Sequence, residues 1–395
     1  MSDLLAILRE GLSCTPTPNR PAGIEIRQDL RPQGDLPVAP PSYEGPLEIH
    51  PRMLDGDEVR DVIELDSVGS AANRIEEALL ELYRTGRYPL PVAKTTVDPG
   101  HGLPEIEITT LEAPHRVFDA WIRLSEDSDG TKFEDSPLGH DLTLADPRRL
   151  DALLETSAHD LLLGVWDSHR KGPHGQIRLA RCLTTSLIGI LPPDPRPVEV
   201  RAALIARSRD GTLPSAFVQQ PLAGRRDPLN LGEASELPPG HQRLSEQGLS
   251  SIPPTRKRSP KSDDLRHTVS LEQARYVGYL SFAALRRLGF SETYDDTEVR
   301  VLLAALGVYA LLLRSDAGWS LRSGAEFVPV RPMQLRLARA GADAEPLEVD
   351  LVAAQTLFEE AAQRVCVQDR KVALRAGPTL DGLVQKSISA SKATA

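Results

Sequence analysis

The chain has 395 residues, a formal net charge of −10, 40% hydrophobic residues and only 4% aromatic ones. The length allows one large core or two ordinary ones. The acidic balance argues against a generic nucleic-acid coat, and the shortage of aromatics argues against a sheet that reads bases by stacking them.

Charge is unevenly placed, however. The stretch from Glu48 to Glu81 is acidic, whereas Arg170 to Arg181 and Arg256 to Arg275 are basic. Cys14, Cys182 and Cys366 lie far apart and form no CxxC pair. Sparse, odd cysteines fit a reducing, cytoplasmic setting and give no support for a zinc site. The first residues, MSDLLAILREGLS, are too charged and too short for a signal sequence. No run approaches the roughly 18 apolar residues that a membrane-spanning helix needs, so no membrane partner is expected.

In chain order, residues 14–60 are rich in Pro and Gly and read as extended segments joined by turns. A helix is predicted from about Ser67 to Tyr83, because Leu65, Val68, Ala72, Ile75, Leu79 and Leu82 recur at three- and four-residue spacing. Asp66 or Ser67 is placed to cap it, and Gly86 lies just past its end. EIEITTL, at 105–111, alternates apolar and polar residues as a half-buried strand does. Val117 to Leu124 is helix-compatible, SEDSDGTK is a turn, and 146–163 reads as a helix opened by Asp146-Pro147.

After Gly164-Val165-Trp166-Asp167 comes SHRKGPHGQ, a basic loop with two glycines. Order resumes from Leu179 to Leu191 and stops at PPDPRP; Val198 to Ala206 reads as a strand. Residues 209–264 have no period and read as an irregular, partly mobile insertion. A helix is expected from about Leu271 to Gly289, depending on where VGYLSF belongs, and a second one from Asp296 to Leu313. FVPVRPMQLRLAR is strand-like, Ala353 to Val367 is helical, and 386–395 is expected to be a disordered tail. Strands and helices without regular βαβ alternation, and without an internal repeat, favour a single α+β domain over 1–395.

Motifs for catalysis are scarce. The sequence has no GxGxxG, GxxxxGK[ST] or HExxH. His115 and Asp119, four residues apart, suit either an oriented base or a turn cap. Asp167, Ser168 and His169 are adjacent, but triad members normally converge from different elements. The loop from Ser168 to Gly175 is a better site, since Gly172 and Gly175 permit close backbone approach and Arg170, Lys171, Arg178 and Arg181 concentrate charge. A solvated surface turn accounts for it equally well. The same two readings apply to Arg256-Lys257-Arg258 with Lys261 and Arg266. In SVGSAANR, small residues leave helix N–H groups open to phosphate beside Asn73 and Arg74, or simply cap the helix.

ELDSVGSAANRIEEALL, APHRVFDAWIRLS with its DGT turn, LLLGVWDSHRKGPHGQIRLARCLTTSLIGI and VGYLSFAALRRLGF occur in that order. Together, over roughly residues 60–315, these blocks resemble the CRISPR-associated RAMP superfamily, in its Cas-seven-type branch called Csb-one, which serves type I-G (formerly I-U) complexes. The resemblance implies an RRM-like, ferredoxin-like core with long thumb and finger insertions. It also implies a backbone subunit that stacks head to tail with copies of itself along crRNA, without enzymatic activity or a cofactor. Other partners implied are target DNA, the large subunit and the Cas-five/Cas-six-type subunit of the Cascade complex. Carried onto this sequence, the RNA-binding set is Ser67, Asn73 and Arg74 from the first block and His115, Arg116 and Arg123 from the second. The third contributes His169, Arg170, Lys171, Arg178 and Arg181. Low aromatic content fits such gripping, in which base pairing reads the sequence and the protein reads shape. Relatives that cleave RNA make an endoribonuclease the alternative, with Asp66, His115, Asp119 or His169 recruited. A small-molecule enzyme around Asp119 and Asp135 is the other competitor.

Overall fold

The computed structural model describes residues 2–41, 49–56, 58–100, 102–167, 177–193, 217–218, 268–370 and 373–393. Helix α1 (Ser2–Leu12) precedes the long strand β1 (Pro21–Pro32), the hairpin β2 (Ile49–Leu54) and β3 (Glu58–Asp66), and helix α2 (Val68–Arg84). Next come β4 (Lys94–Val97), β5 (Ile106–Thr109), α3 (Ala120–Arg123), β6 (Ser125–Glu126), α4 (Pro137–Leu144) and α5 (Asp151–Leu163). Two-residue strands β7 (Val165–Trp166) and β8 (Arg178–Leu179) lead into β9 (Leu183–Ile190). Short β10 (Phe217–Val218) and β11 (Thr268–Val269) precede β12 (Gln273–Ser281), α6 (Phe282–Leu285) and α7 (Asp296–Asp316). The chain continues through β13 (Trp319–Arg322), β14 (Ala325–Pro329), β15 (Gln334–Arg339), β16 (Glu345–Leu347), α8 (Leu351–Val365), β17 (Ala373–Ala376) and α9 (Pro378–Ala393).

The main sheet runs β13-β14-β1-β12-β9-β3-β2, with β15 also on β1 and β16 on β15. Every pairing in it is antiparallel. Strands β1 and β9 therefore run parallel on either side of β12, with α2 between them in sequence. Likewise β12 runs parallel to β14 and β15 on either side of β1, with α7 between. This is the double split β-α-β of a ferredoxin-like core, extended beyond β9 by β3 and β2. The α+β expectation is met. A second sheet, β5-β4-β17-β6, is built from the middle and the end of the chain.

Alternation along the strands decides which face is covered. Ile24, Ile26 and Leu30 of β1 are buried, and stand opposite Leu280, Gly278 and Ala274 of β12. Helix α7 packs beneath them and is buried on nearly all sides from Val299 to Leu311, so it lacks the polar stripe of a surface helix. Its N-terminus is capped by Asp295, whose Oδ1 accepts from the N–H groups of Thr297 (2.8 Å) and Glu298 (3.0 Å). The opposite sheet face carries a small second cluster, Val62, Ile188 and Ile190 with Leu54 against it. It also carries a charge quartet in which Arg27 and Arg275 each pair with both Asp29 and Asp55. Burial alone would raise the Asp55 carboxyl, but hydrogen bonds from Arg27 and Arg275 hold it below its ordinary value.

Several expectations are corrected. The helix expected from about Leu271 to Gly289, with the place of VGYLSF left open, is instead the central strand β12 over residues 273–281, and only Phe282–Leu285 turn helical. Ala274, Arg275 and Tyr276 of β12 are buried in succession and the three residues that follow are half-buried, so the strand shows no clear polar alternation to mark it. Asp146-Pro147 opens no helix: Asp146 bridges to Arg149, and α5 begins at Asp151. Residues 386–393, expected as a disordered tail, continue helix α9 to Ala393, free of internal Gly or Pro beyond Gly382. The strand expected at 198–206 lies outside the described residues, as does the 209–264 insertion apart from Phe217–Val218.

Candidate nucleic-acid interface

The side chains most relevant to a ligand meet at the small hairpin β7–β8, where three stretches of chain converge. Glu76 on α2 lies one turn past Asn73. Arg116 occupies the turn before α3, and Gly164 ends α5. The Arg116 guanidinium grips both Glu76 carboxylate oxygens, Nε at 2.7 Å and Nη2 at 3.1 Å, and Nη1 donates to the Gly164 carbonyl at 3.0 Å. Burial pushes the Glu76 carboxyl up against the pull of Arg116. Arg116 is only 8% exposed and has a φ of +57°, a conformation that non-glycine residues adopt at a cost. Sequence reasoning assigned Arg116 to phosphate; in the structure its guanidinium is interior and fully engaged.

From Gly164 the chain emerges into β7. Val165 pairs with Leu179 and Trp166 with Arg178, and the Asp167 N–H donates to the Ile177 carbonyl at 3.0 Å. Trp166 is 52% exposed, and the Arg178 guanidinium lies over its ring, 5.6 Å from the centroid. Arg181 follows. It is exposed by surface area, yet the surrounding protein disfavours its charge, as does nearby Arg116, while Glu76 favours it. The hairpin thus offers an exposed indole, a guanidinium stacked on it and a second cation beside them. Sequence reasoning missed Trp166: an exposed aromatic on a two-residue strand has no period, and its only signal was being one of three tryptophans, just ahead of the basic loop.

The remaining expected residues scatter. His169, Arg170 and Lys171 lie outside the described residues. Ser67 caps α2, its Oγ accepting from Ser70 N–H at 3.3 Å. Arg74 is tied to Asp66 at 3.0 Å and to the Leu321 carbonyl at 3.1 Å. Asn73 and His115 are exposed. The His115 N–H donates to Asp119, which also caps α3 through Trp121 N–H. Arg123 reaches Glu134 only at 3.9 Å. Arg178 and Arg181 are therefore brought together at the hairpin, with Arg116 beneath them, while Ser67 and Arg74 help to build the start of α2.

A second polar group lies behind the hairpin. Helix α5 is broken at Ser157 (φ −160°, ψ 73°), which turns its Oγ toward His159 Nε2 (3.1 Å) and lets it donate to Asp160 Oδ1 (2.9 Å). Asp160 Oδ2 also accepts from Val117 N–H at 3.2 Å. Serine, histidine and aspartate in contact invite comparison with a nucleophilic triad. All three are fully buried, however, and the serine donates to the carboxylate directly. Burial, then Arg116, lowers the imidazole to about 3; burial raises the Asp160 carboxyl to about 7 against the opposing pull of Arg116. A neutral histidine beside this carboxyl makes a packed polar joint, its three side chains buried from solvent. Among the described residues no group of three or more His, Cys, Asp or Glu could hold a metal ion, and no helix is long and apolar enough to cross a membrane.

Comparison with known proteins places this region in context. Residues 24–191 match the family model described as CRISPR-associated protein GSU0053, a span that runs from β1 to β9 and includes Glu76, Arg116 and the whole hairpin. The resemblance to a CRISPR-associated family is thereby borne out. No curated protein matches the sequence. Among solved structures, the chain is similar to the crystal structure of Thermofilum pendens Csc2, at 9% identity over 93% of this chain and 76% of that one, with a TM-score of 0.30. So distant a likeness supports no inference about a ligand.

Proposed function

We propose that this chain, CRISPR-associated by its match over residues 24–191, is a backbone subunit of a type I-G interference complex. In this reading copies of it stack along guide RNA in the cytoplasm and hold the strand through its phosphates. The RNA stays intact for pairing with target DNA, and the large and Cas-five/Cas-six-type subunits complete the assembly. The observation that carries the proposal is the β7–β8 hairpin, with Trp166 exposed under Arg178 and Arg181 beside it. Guanidinium groups neutralise phosphate and an indole stacks on a base of any kind, a pairing suited to a strand held without reading its sequence. A net charge of −10 is no obstacle when each copy contributes only a local cationic patch. The role is non-enzymatic in this proposal, consistent with a Ser157-His159-Asp160 group sealed in the interior.

The test is to purify the chain from cells expressing its operon and to measure the RNA that accompanies it. The expected result is RNA of one defined length carrying several copies of the subunit. A monomer without RNA, despite guide transcription and partner subunits, overturns the proposal. Guide RNA cut by the purified chain would replace it with a nuclease.

A further inference from the structure

We infer that the buried Glu76–Arg116 pair is the positioning device of the β7–β8 hairpin: it holds the Gly164 carbonyl and so sets where Trp166, Arg178 and Arg181 meet a nucleic acid. The inference rests on the reading just proposed and goes beyond it, assigning to the interior the task of aiming the surface.

Three observations support it. First, the pair spends its hydrogen bonds on geometry. Arg116 uses two nitrogens on Glu76 and a third on Gly164, locking α2, the turn before α3 and the end of α5 into one fixed relation, although they lie 40 and 48 residues apart in sequence. A buried ion pair is weak evidence for stability, because apolar groups of similar volume often serve as well. What an apolar pair cannot do is hold a carbonyl in a chosen direction. Second, Gly164 is where that direction is passed on. Its φ is +81°, and a Cβ there would lie 2.9 Å from the Leu179 carbonyl oxygen and 3.0 Å from Arg181 N. Backbone thus touches backbone at this point, and a shift of Gly164 must shift residues 179–181. Third, the clamp is doubled next door: Asp160 holds Val117 N–H through its side chain and Gly164 N–H through its carbonyl, at 3.2 and 2.9 Å. Residues 116–117 and 164 are thereby fastened to each other twice.

The experiment uses the full-length chain and a 30-nucleotide single-stranded RNA of mixed sequence. The double variant Glu76→Leu with Arg116→Met removes the clamp together with both of its charges. It is expected to melt within a few degrees of the parent, to bind RNA about tenfold more weakly, and to show faster amide exchange at Val165 and Trp166. Made on a Trp166→Ala, Arg178→Ala, Arg181→Ala background, the same double change is expected to cost nothing further, since the contacts it aims are already gone. A purely structural pair predicts a different result, with parental RNA affinity wherever stability is parental. That result, or an equal further loss on the Trp166→Ala, Arg178→Ala, Arg181→Ala background, overturns the inference. If the double variant does not fold, Arg116→Lys serves instead, because lysine keeps the charge near Glu76 but lacks the fork that also reaches Gly164. The same loss of binding is expected, and unchanged binding is again fatal. Should the parent chain fail to bind RNA, or bind it undiminished after Arg178→Ala and Arg181→Ala, the functional reading itself falls and takes this inference with it.

Discussion

Arg116 and Asp160 show how little a residue's type says about its place. An arginine between His115 and Val117 reads as surface charge; its partner Glu76 stands 40 positions earlier, beyond any local pattern. Asp160 and His159 carry a pH signature that follows from burial. The Asp160 carboxyl rises from 3.8 to about 7 on folding, so the folded form retains a proton that the unfolded chain gives up. Its contribution to stability is present below 3.8 and is lost as pH rises through about 7. His159 falls from 6.5 to about 3; its contribution is present above 6.5 and is lost as pH falls through about 3. Between 3.8 and 6.5 the two slopes oppose each other. Relative to the parent, melting temperature across that window should therefore climb more steeply with pH in Asp160→Asn, where of the two only the histidine acts, and less steeply in His159→Asn. Parallel slopes in the two variants would refute the assignment.

Elements were legible where one face is buried and the other wet. Helix α2 emerged from its spacing almost to the residue, with Ser67 as its cap, and so did the strand-like stretch that became β14 and β15. Strand β12 was not legible, because it lies mid-sheet, where Ala274, Arg275, Tyr276 and Leu280 are all buried. The hairpin β7–β8 was visible only as the flanks of a basic loop, since two-residue strands cannot display alternation. Its hinge can be tested by Gly164→Ala, which forces a side chain onto a φ of +81° against the Leu179 carbonyl. A loss of about 1–3 kcal/mol in denaturant stability is expected. Asp295→Ala, which strips the cap from α7, should cost about 1 kcal/mol by the same assay.

At the scale of the whole molecule, the proposed reading has an acidic chain hold a polyanion through a local patch, and salt should test this. The logarithm of RNA affinity should fall linearly with the logarithm of salt concentration, by about 0.7 per neutralised phosphate on a single strand. Arg178→Ala should flatten that line by about one such step. A weaker affinity with an unchanged slope would move Arg178 out of contact with phosphate. Composition foresaw part of this, because 4% aromatics left no stacking sheet, yet it could not say that one of the few aromatics stands beside a guanidinium at an edge.

The quartet on the sheet face opposite α7 gives that economy of charge a second meaning. Arg27 and Arg275 lie on one face of the main sheet, Arg275 itself buried, and Asp29 and Asp55 pair with both guanidinium groups. The four groups act as insulation. In the proposed reading, a phosphate strand that meets this face finds both guanidinium groups already paired.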